Sequence, residues 1–281
     1  MTNSPTMTSE YLTCAGFDIH FTAWGPEDAT PLVMWHGLAR TGRDFDVAAA
    51  HFSDRYRVIC PDTIGRGLSQ WAMDELDYGL ETYARIAVDL VDRLGFGQMR
   101  WLGTSMGGAI GIKLAAGSLK DRITHLCLND FGPEPAATSV ERIIAYVGNP
   151  PEFNAITELE AYLRTIYTPY GFQTDAEWRR MAETSARRKD NGRITVHYDP
   201  KMIRQLVNYP TDYLMWDAYD QVAVKTLLLR GADSDLVTPE LAQDMTRRGP
   251  KAEVIEIPGC GHAPALNVPT QLEILDRFFA T

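Results

Sequence analysis

Short apolar runs alternate with longer amphipathic stretches along the first half of the chain. Residues 80–94 carry apolar side chains at helical spacing and are followed by Gly95, which predicts a helix that ends there. Residues 11–25 alternate around a turn at Gly16 and predict an antiparallel edge hairpin. Buried strands are indicated by the runs at 31–35, 56–61, 99–102, 123–130, 224–231 and 252–257. Strands and helices at this spacing are typical of a mostly parallel sheet built from right-handed βαβ units.

The pattern changes between about residues 136 and 213. Strand-like runs are replaced by amphipathic helical stretches rich in Tyr, Phe and Trp, at 140–147, 156–167, 175–186 and 201–209. We therefore predict an α/β core at 11–135 and 214–281, a helical segment inserted at 136–213, and a flexible N-terminus at 1–10.

Composition and charge narrow the class of protein. The 281 residues are 45% hydrophobic and 23% charged, as in an ordinary globular domain. A net charge of −10 disfavours nucleic acid and anionic membranes as partners. Residues 1–10 are polar and lack the apolar stretch of a signal peptide, and no apolar run approaches the length of a membrane span. We expect a cytoplasmic monomer or homodimer acting on a small molecule.

The cysteines give no sign of a metal site. Cys14, Cys60, Cys127 and Cys260 are scattered without paired spacing. Cys60 and Cys127 lie inside apolar runs and are interpreted as core thiols. Neither a metal nor a cofactor is expected.

Candidate chemistry centres on Ser105. It lies in Gly-Thr-Ser-Met-Gly-Gly at 103–108, between a strand-like run and a run of small residues typical of a helix. Glycine two positions before and two positions after the serine is the Gly-x-Ser-x-Gly pattern, in which a tight strand-to-helix turn exposes the hydroxyl above a sheet. A side chain at either glycine would collide with the neighbouring strand or helix.

A reactive serine needs a base and an acid that orients the base. His262 stands in a glycine-rich loop after the last predicted strand, and Asp235 follows the strand before it. Side chains that follow parallel strands meet at the carboxyl edge of the sheet. Asp130, at the end of the strand run at 123–130, competes with Asp235 for the role of the acid.

From about Tyr11 to the C-terminus the chain resembles the α/β-hydrolase superfamily, in its cap-bearing, serine esterase-like branch. The motifs that carry the resemblance occur in the family's order: His36-Gly37, Asp62-x-x-Gly65-x-Gly67-x-Ser69, the Ser105 turn, and Gly259-Cys260-Gly261-His262. The resemblance implies an α/β-hydrolase fold, with a mostly parallel sheet, an N-terminal antiparallel hairpin, flanking helices and a helical cap at 136–213.

The resemblance also implies a set of catalytic roles. Ser105 is expected to be the nucleophile, His262 the base, and Asp235 the acid, because the family's acid is usually followed by a helix that starts with proline, as at Pro239. Backbone N–H groups of Leu38 and Met106 are expected to form the oxyanion hole.

Substrate contacts are assigned to His36, Tyr146 and Trp216, although a loop-shaping role is favoured for His36. In the Asp62–Ser69 turn, Arg66 and Ser69 are interpreted as scaffold residues.

Carboxylic ester hydrolysis through an acyl-enzyme is the predicted reaction, on uncharged esters of short to medium acyl length or on hydroxy-acid oligoesters. A serine nucleophile argues against dehalogenases and epoxide hydrolases, which use aspartate in this superfamily. Ala263, where C–C bond hydrolases usually have tryptophan, argues against that class. A lactonase, a C–C bond hydrolase of aromatic catabolism, a cofactor-free perhydrolase and a non-enzymatic small-molecule receptor stay open as alternatives.

Overall fold

The computed structural model describes residues 7–280, apart from the side chains of residues 137 and 146. The strands are β1 (Met7–Cys14), β2 (Phe17–Trp24), β3 (Thr30–Trp35), β4 (Tyr56–Pro61), β5 (Met99–Thr104), β6 (Ile123–Asn129), β7 (Ala186–Arg188), β8 (Ile194–Val196), β9 (Lys225–Gly231) and β10 (Glu253–Ile257). The α-helices are α1 (Asp46–Phe52), α2 (Leu80–Arg93), α3 (Met106–Ala116), α4 (Ala137–Val147), α5 (Ile156–Ile166), α6 (Asp175–Ser185), α7 (Gln205–Asn208), α8 (Trp216–Tyr219), α9 (Pro239–Met245) and α10 (Pro269–Phe279).

An 8-stranded sheet in the order β1-β2-β4-β3-β5-β6-β9-β10 organises the molecule. β1, β2 and β4 pair antiparallel, and every pair from β4 to β10 is parallel. The strand order reverses direction between β3 and β5, so the loops that follow these two strands diverge and leave a crevice at the carboxyl edge. The predicted mostly parallel sheet with an N-terminal antiparallel hairpin is confirmed.

Apolar side chains fill both faces of the sheet. On one face α2 and α3 pack through residues such as Ile86, Leu90 and Ile110, and on the other face α1 and α10 pack through Phe52 and Leu275. Burial on both faces explains why the parallel strands read as continuous apolar runs rather than as alternating patterns. The sheet is therefore a rigid support for the loops at its carboxyl edge.

The structure corrects one expectation about the N-terminus and one about the segment at 136–213. Residues 7–10 belong to β1 and pair with β2, so they are not a flexible terminus, and residues 1–6 lie outside the described part. The segment at 136–213 contains α4–α7 but also the small hairpin of β7 and β8, which its sequence did not indicate. Each of these strands is only 3 residues long, too short for a recognisable alternation.

Among the described residues, no helix has both the length and the apolar character that crossing a membrane requires. The expected compartment and oligomeric state stay predictions.

Candidate active site

Ser105 lies on a strained turn between β5 and α3. Its φ of 51° and ψ of −114° place a non-glycine residue in a region that costs on the order of 1–3 kcal/mol. A Cβ at Gly103 would lie 2.1 Å from the carbonyl oxygen of Gly107, and a Cβ at Gly107 would lie 2.0 Å from that of Trp35. Only glycine fits at both positions, and the close approach of strand and helix raises the Ser105 hydroxyl above the sheet.

A hydrogen-bonded chain connects this hydroxyl to a buried carboxylate. The Ser105 Oγ lies 3.0 Å from His262 Nε2, and His262 Nδ1 lies 2.7 Å from Asp130 Oδ2. With an ionised Asp130, Nδ1 carries the proton and Nε2 is free to accept the serine proton. The three side chains have the connectivity that activates a serine nucleophile.

Asp130 is held in place from several sides. Its side chain is 0% exposed, and it accepts hydrogen bonds from the Gly231 N–H at 2.9 Å and the Ser234 hydroxyl at 2.6 Å, besides facing His262. The residue follows β6, which lies between β5 and β9, and its φ is 53°. Charge-assisted hydrogen bonds from three donors fix one orientation of the carboxylate towards the imidazole.

Asp235, the acid chosen from the sequence, does not meet His262. Its carboxylate pairs with Arg142, at 2.5 Å from Nη1 and 3.1 Å from Nη2, and the side chain is 46% exposed. Asp235 does line the same cleft as Ser105. The pairing of Asp235 with His262 is therefore corrected to Asp130, because the loop after β9 directs Asp235 to Arg142 and places Ser234 against Asp130.

The first residue of α3 and the loop after β3 both lie next to Ser105. Met106 is the first residue of α3, so its N–H has no partner within the helix. Gly37, which precedes Leu38, lies so close to Ser105 that a Cβ added at Gly37 would contact the Ser105 Cβ at 3.6 Å. The guanidinium of Arg66 donates to the Leu38 carbonyl oxygen at 2.9 Å and so orients the neighbouring peptide. This arrangement suits the expected oxyanion hole of Leu38 and Met106.

His36 lies behind this loop and does not line the cleft. It is fully buried, its Nδ1 donates to the Gly37 carbonyl oxygen at 2.7 Å, and its Nε2 accepts from the Thr63 N–H at 2.9 Å. The assignment of His36 to substrate contact is corrected to a structural role, in which the ring ties the loop after β3 to the loop after β4.

Burial keeps two histidines neutral, and this gives a pH dependence of stability. Desolvation lowers the pKa of His36 to about 4 and that of His197 to about 3. In the unfolded chain both would titrate near the ordinary pKa of about 6.5. As the pH falls below that value only the unfolded state takes up these protons, so stability is lost between about pH 6.5 and the folded pKa values.

We expect the free energy of unfolding to fall by about 2 kcal/mol at pH 5, relative to pH 7, for each of these two histidines. Urea unfolding of wild type, His36→Gln and His197→Gln at both pH values measures it. In each variant the free energy of unfolding should fall less between pH 7 and pH 5 than it does in wild type. An equal loss in all three proteins would contradict neutral burial.

A cleft of about 430 Å³ opens above Ser105 and His262, between the carboxyl edge of the sheet and the 136–213 segment. Its apolar lining consists of Leu38, Ala39, Ile143, Val147, Ile166, Tyr167, Pro169 and Tyr170. Most of these side chains come from the 136–213 segment, and two of them, Tyr167 and Tyr170, are aromatic. The cleft can hold an aliphatic chain beside the nucleophile.

Trp216, another of the expected substrate contacts, does not line this cleft. Trp216 donates to the Glu134 carboxylate at 2.8 Å, and the Arg248 guanidinium lies 3.9 Å from its ring centre. Its assignment is corrected, because its ring is held between Glu134 and Arg248 and does not line the cleft. The side chain of Tyr146 lies outside the described part of the structure.

A second Ser–His–Asp chain occurs at the N-terminal hairpin. Ser9 Oγ lies 2.9 Å from His20 Nε2, and His20 Nδ1 lies 2.7 Å from Asp62 Oδ2. Ser9, however, is in the middle of β1, without the strained backbone of Ser105 and without a helix N-terminus behind it. Asp62 also accepts from the N–H groups of Gly42 and Leu68. This second chain is therefore interpreted as a scaffold for the loop after β4.

Two residues of the site were missed by sequence reasoning. Ser234 lies between two aspartates after a buried strand, and a hydroxyl at that position is the signal by which it could have been found. Arg142 gave no signal, since it is a single cation in an amphipathic helix and its neighbours in space come from a distant loop.

Comparisons with known proteins extend over nearly the whole chain. The sequence profile described as "Alpha/beta hydrolase family" matches residues 32–273. A 3-hydroxybutyrate-oligomer hydrolase of Cupriavidus necator is 38% identical over 266 residues, which are 91% of this chain and 90% of that protein. A 2-(acetamidomethylene)succinate hydrolase of Mesorhizobium japonicum is 26% identical over 82% of this chain and 81% of that protein. The crystal structure of an alpha/beta hydrolase from Novosphingobium aromaticivorans aligns with a TM-score of 0.87 and 31% identity, over 98% of each chain.

Proposed function

This chain belongs to the alpha/beta hydrolase family and is a hydrolase, and we propose that it cleaves carboxylic esters through an acyl-enzyme on Ser105. The observation that carries the proposal is the continuous hydrogen-bonded chain from the Ser105 hydroxyl through His262 to the buried Asp130, at 3.0 and 2.7 Å.

Acylation follows from this geometry. The Ser105 Oγ attacks the ester carbonyl carbon while His262 Nε2 takes the hydroxyl proton. The negative charge that develops on the carbonyl oxygen is stabilised by the N–H groups of Leu38 and Met106, each contributing a few kcal/mol to the lowering of the barrier. Asp130 stabilises the imidazolium that forms. When the ester C–O bond breaks, His262 returns the proton to the leaving alcohol.

Deacylation repeats the sequence with water as the nucleophile. His262 Nε2 accepts a proton from the water while its oxygen attacks the acyl carbon, and the proton then goes to Ser105 as the acid leaves.

The substrate class is proposed from the cleft. We propose that the 136–213 segment acts as a cap over the nucleophile, since α4 and α5 supply Ile143, Val147 and Ile166 to the apolar wall. A cleft of about 430 Å³ suits a short to medium aliphatic ester. The relative named as a 3-hydroxybutyrate-oligomer hydrolase supports an aliphatic hydroxy-acid oligoester as the substrate.

Labelling with a small fluorophosphonate tests the nucleophile. Among the serines in the described part of the chain, Ser105 alone combines an adjacent base, a strained turn and the proposed N–H donors for the phosphoryl oxygen, so the adduct should map to the peptide that contains Ser105. Ser9 provides an internal comparison in the same molecule, because its distances to His20 are similar but these other features are missing. Peptide mass mapping reads out the site. Labelling at Ser9 with Ser105 unmodified would overturn the assignment.

A further inference from the structure

Arg142 is a cation in the wall of the cleft whose charge is available to a ligand. It lies on α4, its side chain is 57% exposed, and its ion-pair partner is the carboxylate of Asp235. Arg40, which also lines the cleft, is different: it is buried and donates to both carboxylate oxygens of Asp44 and to the Ser185 hydroxyl. Arg142 can therefore change partner, whereas Arg40 is committed to the fold.

Breaking the Arg142–Asp235 ion pair, so that Arg142 can bind another carboxylate, costs little free energy. An exposed ion pair such as Arg142–Asp235 contributes little to stability, because water solvates both groups. Asp235 is 46% exposed and would keep its hydration if Arg142 turned away. A carboxylate on a bound ester would be held close to Arg142 by the rest of the molecule, and the planar guanidinium can bind it through two parallel hydrogen bonds.

The charges around the cleft give Arg142 a second effect. Asp233 and Asp235 both line the cleft, and Arg40 is neutralised by Asp44. Without Arg142 the cleft would present two exposed carboxylates to an incoming anion, which would be repelled. The charge at position 142 therefore offsets the repulsion that these two carboxylates exert on an anion in the cleft.

We propose that Arg142 binds a free carboxylate of the substrate, exchanging Asp235 for it, so that the site prefers esters that carry a carboxylate at one end. A linear oligoester of a hydroxy acid has such an end. The inference rests on the proposed ester hydrolysis at Ser105 and departs from the uncharged substrate expected from sequence. The basic runs at 179–180 and 187–189 do not line this cleft.

The test compares two substrates that differ only in charge: the linear dimer of 3-hydroxybutyrate with a free carboxylate, and its methyl ester at that carboxylate. The measured quantity is the ratio of kcat/KM for the free acid to kcat/KM for the methyl ester, at constant ionic strength. Cleavage of the internal ester bond is followed by chromatography of the products.

In Arg142→Gln this ratio should fall by about tenfold, the effect of losing one charge-assisted hydrogen-bonded pair. In Asp235→Asn the ratio should rise by about threefold, because the competing carboxylate is removed. Arg247→Gln, a matched loss of an exposed arginine outside the cleft, should leave the ratio as in wild type.

The outcomes separate the two proposals. Wild type that cleaves both dimers, with the same ratio in Arg142→Gln, would overturn the role of Arg142 and leave ester hydrolysis intact. Wild type that cleaves neither dimer nor any simple aliphatic ester would overturn the proposed function itself.

Discussion

Ser105→Ala should lower kcat for p-nitrophenyl esters by about a million-fold, which leaves only the residual rate that the rest of the site supports. The alanine removes the atom that forms the bond to the acyl carbon, and His262 then has no hydroxyl to deprotonate. The fold should be retained, because Ser105 contributes its backbone and not its hydroxyl to the packing of β5 on α3. The rate is measured from acetate to longer acyl esters, beside circular dichroism and thermal unfolding of the same preparation.

Ser9→Ala is the matched control, since it removes the hydroxyl of the second Ser–His–Asp chain. It should hydrolyse esters at the wild-type rate. Full activity in Ser105→Ala would refute the acyl-enzyme mechanism. If wild type turned over an enol-lactone or a dienoate but no simple ester, one of the alternative hydrolase classes would replace the proposal.

Asp130→Asn should lower kcat by about ten-thousand-fold. The amide carries no charge to stabilise the imidazolium, and it can present an N–H to His262 Nδ1, which reverses the tautomer that Nε2 needs in order to accept the serine proton. Asparagine would also be surrounded by the donors of Gly231 and Ser234, so the free energy of unfolding should fall as well. Kinetics at saturating ester, with a urea unfolding curve, separate the catalytic loss from partial unfolding.

The comparison with Asp235→Asn locates the acid. Asp235 contacts Arg142 and not His262, so its replacement should not produce a loss of this size. A ten-thousand-fold loss in Asp235→Asn together with near-normal kcat in Asp130→Asn would reverse the assignment.

The sequence alone did not decide whether Asp130 or Asp235 is the carboxylate that meets His262. Asp130 follows β6 and Asp235 lies in the loop after β9, and these strands are neighbours in the sheet. Both carboxylates were therefore expected near the same edge, and each stands after a recognisable buried strand. The choice depends on the direction of a few loop side chains, in particular Ser234, which donates to Asp130 and leaves Asp235 pointing into the cleft.

Short-range patterns in the sequence were sufficient to predict much of the fold. Apolar runs and helical spacing predicted the strands and helices of the core, because burial on a sheet or a helix face imposes a short period on the chain. The same holds for the Ser105 turn, since the steric requirement for glycine at 103 and 107 is met within one strand–turn–helix unit. The chain by itself therefore indicated the α/β architecture, the serine and its histidine.

Only the tertiary structure decided which distant groups meet. The Ser105–His262 contact joins residues 157 positions apart, and the Arg142–Asp235 pair joins residues 93 positions apart. Contacts of this kind leave no periodic trace in the sequence, because they depend on how loops leave the sheet and how the 136–213 segment lies over it. The acid, the structural role of His36 and the charge that Arg142 brings to the cleft were decided at that level.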